Sequence, residues 1–304
     1  MSVLVVDKPI GPTSFAVLRR VRQALMRASG GTARQHKIGH GGTLDPMASG
    51  VLPVCLGEAT KVMPFLLDAD KEYLATVRFG METDTLDATG KVLCESPTAG
   101  LDASRLESAL AGFRGPIEQV PPMFSALKHQ GKPLYRYARE GQNIERPPRR
   151  VTVYELELLA FEPPDRARLR IRCSKGTYIR SLAADLGRQL GMGAHLTELR
   201  RTTSGPFHLA QALSLDDIDA CVEEGRALPF VSLREALAHL PSVSVDDALA
   251  LRLVRGQRVG WDELHAGNIQ SGPLCVLRGP DLVVAVVDRG PESMLRILRV
   301  FNVG

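Results

Sequence analysis

Gly39-His40-Gly41-Gly42-Thr43-Leu44-Asp45-Pro46-Met47-Ala48-Ser49-Gly50-Val51-Leu52 is the stretch on which the reading of this 304-residue chain turns. It sets one acidic side chain, Asp45, between a glycine-rich turn and a proline. Gly41 and Gly42 allow backbone dihedrals with φ > 0 and leave room for a ligand to approach closely. Pro46 drives Asp45 away from helical dihedrals. Small residues (Ala48, Ser49, Gly50) follow, then an apolar run from Val51 to Leu56 that predicts a buried strand. A carboxylate on such a loop suits presentation of one reactive group to a bulky, flat substrate. The same residues also suit a turn in which Asp45 caps backbone amides, and the loop alone leaves both readings open.

Composition narrows the class. Hydrophobic residues make up 44% of the chain and charged residues 24%, as in ordinary globular proteins, and the length predicts about two domains. A net charge of +4 and a pI near 8.9 are compatible with an anionic partner. Cys55, Cys94, Cys173, Cys221 and Cys275 are scattered without a Cys-x-x-Cys pair, which argues against a zinc site or a disulfide framework and for a reducing compartment. The first residues lack the basic n-region of a signal peptide, and no apolar run approaches the ~20 residues of a membrane span. A cytoplasmic protein is expected.

Outward from the loop, Val3 to Val6 predicts a short strand, and Thr13 and Ser14 predict a cap for a helix with Phe15, Val17, Leu18, Val21 and Leu25 at helical spacing. Ser29 to Thr32 is a Gly-rich break. Val62 to Leu67 predicts a helix, and Tyr73 to Phe79 alternates as a strand before the polar loop Thr83-Asp84-Thr85-Leu86-Asp87-Ala88-Thr89-Gly90. Asp84 and Asp87 lack the full calcium-loop pattern, so no metal is expected there. Asp102 to Gly112 predicts a surface helix with Ser104 and Glu107 as a capping box.

From Lys128 to Arg150, seven basic residues face only Glu140 and Glu145, with Tyr135 and Tyr137 among them. Basic residues interleaved with aromatics fit a nucleic-acid backbone with stacked bases; a solvated surface is the plain alternative. Val151–161 and 166–173 predict strands, the second with Arg166, Arg168, Arg170 and Arg172 on one face. That stripe either faces water or lies near phosphates. Tyr178 and Arg180 fall at the junction with a helix through Leu182, Leu186 and Leu190. Later come helical stretches at 215–225 and 233–240, a linker-like 241–245, and β-like runs at 274–277, 282–287 and 295–300.

Together these segments resemble the bacterial TruB family, the tRNA pseudouridine synthases that act on uridine 55 of the T-loop, over about residues 3 to 210. The resemblance rests on Asp7-Lys8-Pro9-x-Gly11-x-Thr13-Ser14, the opening loop, Leu56-Gly57-Glu58-Ala59-Thr60-Lys61 and Lys71-x-Tyr73. It continues through Pro122-x-x-Ser125-Ala126-x-Lys128, Gly131-x-x-x-Tyr135-x-x-Ala138-Arg139, 173–180 and Leu199-Arg200-Arg201. Gly41 departs from the usual threonine, which is expected to loosen the loop and remove a hydroxyl. The tail resembles a PUA-type RNA-binding domain.

The resemblance implies an α+β pseudouridine synthase fold over 1–240, with a mixed, mainly antiparallel central sheet flanked by helices, and a small β-rich PUA-like domain over 241–304. It implies that Asp45 is the catalytic aspartate, that Tyr73 stacks on the flipped uracil and that Arg180 pairs with Asp45. His40, Tyr178 and Leu199 fall at substrate-contacting positions, and Lys8 and Lys128 are further substrate-binding candidates. The implied partner is the tRNA T stem-loop, met by a monomer without membrane or cofactor. Breaking C1′–N1 and joining C5 to C1′ requires no redox group or donor. Two other readings stand beside this one: an RNA chaperone that leaves Asp45 unused or coexists with catalysis, and a hydrolase pairing Asp45 with Asp84 or Asp87.

Overall fold

A computed structural model describes residues 2–29, 37–267, 269 and 272–301. Most of the Gly-rich break expected at Ser29 to Thr32 lies outside the described residues. Two compact units divide the chain: residues 1–46, 50–69 and 204–304 form one, 47–49 and 70–203 the other. No helix among the described residues is long and apolar enough to cross a membrane.

In the first unit, strand Ser2–Lys8 runs antiparallel to Ala48–Leu56, with Val3 opposite Cys55 and Lys8 opposite Gly50. Ile38–His40 pairs with the same long strand, His40 opposite Val54. The four apolar residues Val3 to Val6 are buried because both sides of their strand are covered. Val3 and Val5 pack with Cys55, Phe65 and Phe207, while Leu4 and Val6 pack with Val17, Val21 and Ile218. Helix Ser14–Ala28 begins where expected, Thr13 Oγ1 accepting the Ala16 N–H at 3.1 Å. Its Arg20 and Arg27 bond Asp216 and Asp219 of helix Leu215–Glu223.

The tail forms a four-stranded sheet in the order Ser242–Val245, Leu274–Arg278, Leu282–Arg289 and Leu295–Val300. The segment expected to be a linker is its parallel edge strand, Val243 opposite Val276. Ser-Val-Ser-Val has strand periodicity, and its two valines pack against the tail core. Leu274 and Val276 face that core with Trp261 and Leu253 of helix Asp247–Val254, an element the sequence reading omitted. Cys275 and Leu277 point the other way, into the cluster that also holds Val3 and Phe65.

In the second unit, strands Lys71–Phe79, Arg166–Cys173, Arg149–Glu162 and Gly115–Gln119 are antiparallel neighbours in that order, with Ala194–Ser204 beside Lys71–Phe79. One face packs Val77, Leu156, Leu169 and Ile171 around Leu182 and Leu186 of helix Ile179–Gln189. The other carries the arginine stripe, and here cross-strand partners decide its charge. Arg170 bonds Glu157 at 2.5 Å and Arg172 bonds Glu155 at 2.9 Å. Helix Ala103–Leu110 is capped by Asp102, whose Oδ1 accepts the Arg105 N–H at 2.8 Å. Ser104 and Glu107 therefore form no capping box: Ser104 already lies inside the helix, and a cap must keep an extended backbone.

Candidate active site

The loop that carries Asp45 joins strand Ile38–His40 to Ala48–Leu56 and is held from several directions. Gly41 N–H donates to Pro53 O at 2.9 Å, and Gly42, at φ +144°, makes the turn. His40 Nδ1 accepts the Gly42 N–H at 3.4 Å. The buried Ser14 hydroxyl donates to Leu44 O at 3.0 Å and accepts the Leu44 N–H at 2.9 Å. Gly11 N–H donates to Pro46 O at 2.8 Å. Lys8 is 0% exposed, and its ammonium donates to Pro9 O at 2.9 Å and Pro46 O at 3.4 Å. Both chain neighbours of half-buried Asp45 are thus fixed by the 8–14 segment.

Gly41 does not loosen this loop. A Cβ at that position would come within 2.9 Å of Leu66 Cβ and 3.0 Å of Leu66 Cδ1. The missing side chain lets the loop backbone sit on Leu66, so the departure from threonine tightens packing there.

In the second unit, Tyr73 is 9% exposed and stands opposite Ile171 in the sheet. Tyr178 is the residue before helix Ile179–Gln189, and Gln119 clamps its backbone on both sides: Oε1 accepts its N–H at 2.7 Å and Nε2 donates to its carbonyl at 3.0 Å. Arg180, 4% exposed, donates to Thr85 O and Phe124 O, each at 2.8 Å, and faces Asp87 at 3.6 Å. Asp87 in turn accepts from Thr85 Oγ1 at 2.7 Å, Thr89 N at 3.0 Å and Thr89 Oγ1 at 2.6 Å. Asp84 accepts the Lys91 N–H at 2.8 Å. With both carboxylates engaged in their own turn, the two-carboxylate hydrolase reading loses its partners.

Leu199 is buried on strand Ala194–Ser204, and Lys128 is exposed on a two-stranded hairpin with Lys132–Pro133. Around it Lys132 bonds Glu140 at 2.6 Å and lies over the Tyr137 ring, and Arg139 lies over Tyr135. Part of this basic segment is neutralised locally, and its two tyrosines carry cations. Among the described residues no group of three or more His, Cys, Asp or Glu is gathered to hold a metal ion. Burial pushes the Cys55 thiol up to about 12, and burial pushes Cys173 up to about 11, so both thiols stay protonated near neutral pH.

Comparison with known proteins decides the family. The TruB family pseudouridylate synthase N-terminal model matches residues 31–179, and the tRNA pseudouridylate synthase B C-terminal model matches 180–240. The chain belongs to the TruB family. It is 52% identical over 264 residues to tRNA pseudouridine synthase B of Chromohalobacter salexigens, covering 86% of this chain and 82% of that one. It is 49% identical over 295 residues to the Burkholderia mallei protein of the same name, covering 96% and 94%. Among solved structures, a Cbf5-Nop10-Gar1 complex contains a chain similar to it with a TM-score of 0.77 and 30% identity, covering 99% of this chain and 84% of that one. An H/ACA RNP bound to a substrate RNA containing 2′-deoxyuridine matches with a TM-score of 0.73 and 28% identity, covering 99% and 84%.

As a TruB-family member the chain is a pseudouridine synthase, an isomerase on the expected α+β fold with a mixed, mainly antiparallel sheet. From the sequence Ser14 is expected to cap a helix and Gln119 carries no expectation, whereas they bond the backbone beside Asp45 and at Tyr178. The sequence reading also passed over Asp87 as the partner of Arg180. The one advance signal for Asp87 was its setting among Thr85 and Thr89.

Proposed function

We propose that this chain converts uridine 55 in the T-loop of tRNA to pseudouridine, with Asp45 as the catalytic carboxylate. The clamping of Leu44 and Pro46 around Asp45 carries the reading: a carboxylate fixed at both neighbours can be aimed at one carbon of a bound nucleotide. The reaction breaks C1′–N1, joins C5 to C1′, removes the proton from C5 and returns one to N1, so atoms balance without a donor. The nucleotide leaves its stack at a cost of about a few kcal/mol, which stacking on Tyr73 offsets.

Arg180 acts as the fixed guanidinium that keeps Asp45 ionised and oriented, as the resemblance implies. His40, Tyr178 and Leu199 contact the substrate, Lys128 meets backbone phosphate, and Lys8 acts through the loop it holds. Residues 241–304 serve as a PUA-like RNA-binding domain, and the protein works as a cytoplasmic monomer on the T stem-loop. The basic segment 128–150 gives binding that does not depend on Asp45, which supports an additional tRNA-folding role.

The test is Asp45→Asn on a T stem-loop RNA. Pseudouridine formation is expected to fall by at least about a hundredfold, while RNA binding persists. Turnover at the wild-type rate, or release of free uracil by the wild-type protein, overturns the reading.

A further inference from the structure

Ile10, Phe15 and Leu93 are the most exposed large hydrophobic side chains among the described residues, at 68%, 73% and 66%. Two of the three lie beside the Asp45 loop in the chain's own bonding. Gly11, next to Ile10, donates to Pro46 O, and Ser14, next to Phe15, bonds both sides of the Leu44 backbone. An exposed aromatic side chain beside this loop offers a flat apolar face to a bound ligand.

Phe15 also starts a stripe. On helix Ser14–Ala28, Arg19 and Arg22 follow at spacings of four and three residues, which place all three on one side. Both arginines are exposed, and neither meets an acidic side chain among the described residues. Their neighbours Arg20 and Arg27 behave oppositely, being bound to Asp216 and Asp219 on the adjoining helix. The helix therefore spends one set of arginines on packing and leaves another set, continuous with Phe15 and the catalytic loop, for an external anion.

We propose that Phe15, Arg19 and Arg22 form a receiving strip for the substrate RNA: an unpaired base stacks on Phe15, and backbone phosphates lie along Arg19 and Arg22. An aromatic followed by unpaired cations matches single-stranded nucleic acid, whose bases offer a flat apolar face and whose backbone offers regular negative charge. The strip would position RNA beside Asp45 and rests on the reading of Asp45 as catalytic. Its contribution belongs to binding, so it enters KM and leaves the chemical step alone.

The experiment is steady-state pseudouridine formation by the full chain on a T stem-loop RNA over a range of salt. Phe15→Ala is expected to raise KM roughly tenfold with kcat retained. Phe15→Trp restores KM and Phe15→Leu does not, because stacking requires a ring. Arg19→Gln with Arg22→Gln lowers the salt slope of log KM by about 1.5. Leu93→Ala, a side chain of like exposure in the other compact unit, leaves KM unchanged. Wild-type turnover with KM indifferent to Phe15, or restored equally by Leu, overturns the strip while leaving the proposed function standing. Concentration-dependent dimerisation abolished by Phe15→Ala would assign the face to a second copy and likewise overturn it. Absence of pseudouridine from the wild-type reaction defeats the function itself.

Discussion

Two acidic turns, built from similar residues, are organised in opposite ways. In the Thr83–Gly90 turn the carboxylate of Asp87 is the hub: it gathers Thr85, Thr89 and Arg180 and is itself 4% exposed. In the Gly41–Met47 turn the bonds that hold the backbone run through Gly11, Ser14 and Lys8 to the residues on either side of Asp45. An aspartate that shapes its own turn spends its lone pairs on structure. In the second turn the backbone is held by neighbours, and that division separates the structural Asp87 from Asp45, the carboxylate proposed to react.

The sharpest way to break this contrast is to remove Asp87. Asp87→Ala removes a buried counter-charge of Arg180 and the hub of its own turn, and is expected to cost about 3–5 kcal/mol of stability, read by chemical denaturation. Asp45→Asn should cost rate and little stability; equal destabilisation by both would erase the distinction. Gly41→Ala probes the packed side of the Asp45 turn, where the new methyl group meets Leu66. It is expected to destabilise by about 1–3 kcal/mol through overpacking, and an unchanged denaturation midpoint would show that the loop has slack.

Ser14→Ala tests whether the turn depends on its neighbours. Leaving Leu44 without its hydroxyl partner should cost about 1–2 kcal/mol and lower kcat about tenfold through misplacement of Asp45. A loss of stability with kcat intact would separate the clamp from the chemistry.

The smallest effect concerns the helix that supplies Ser14. Burial opposes ionisation of Asp219, but the hydrogen bonds and charges of Arg20 and Arg27 outweigh it and hold its carboxyl below the usual 3.8. A depressed carboxylate stabilises the fold fully above its unfolded value and loses that contribution as pH falls through its folded one. Acid unfolding below pH 3.8 should therefore be shallower in Asp219→Asn than in wild type. The difference should stay below about 1 kcal/mol, because the arginines are half exposed.

Local patterns were legible where the bonding is local. The Thr13 cap, the strands at 71–79 and 166–173 and the three later tail strands follow from capping chemistry and periodicity, which need only neighbouring residues. Patterns failed where a distant segment intervened. The linker-like 241–245 became a strand because Leu274–Arg278 offers it an edge. The arginine stripe at 166–172 looked uniformly cationic, yet Glu155 and Glu157 across the sheet neutralise its C-terminal half.

By itself, the sequence determined the family, the surroundings of Asp45 in the chain and the residues proposed to serve it, because motif order and spacing are one-dimensional properties. Tertiary structure alone decided which charges are spoken for and which backbone is clamped. Arg20 is held by Asp216 and Asp219 while Arg19, the residue before it, has no acidic partner among the described residues, and no reading of adjacent letters separates them. Hydrogen bonds and ion pairs act over about 3 Å in space, and folding brings residues nearly two hundred positions apart within that reach.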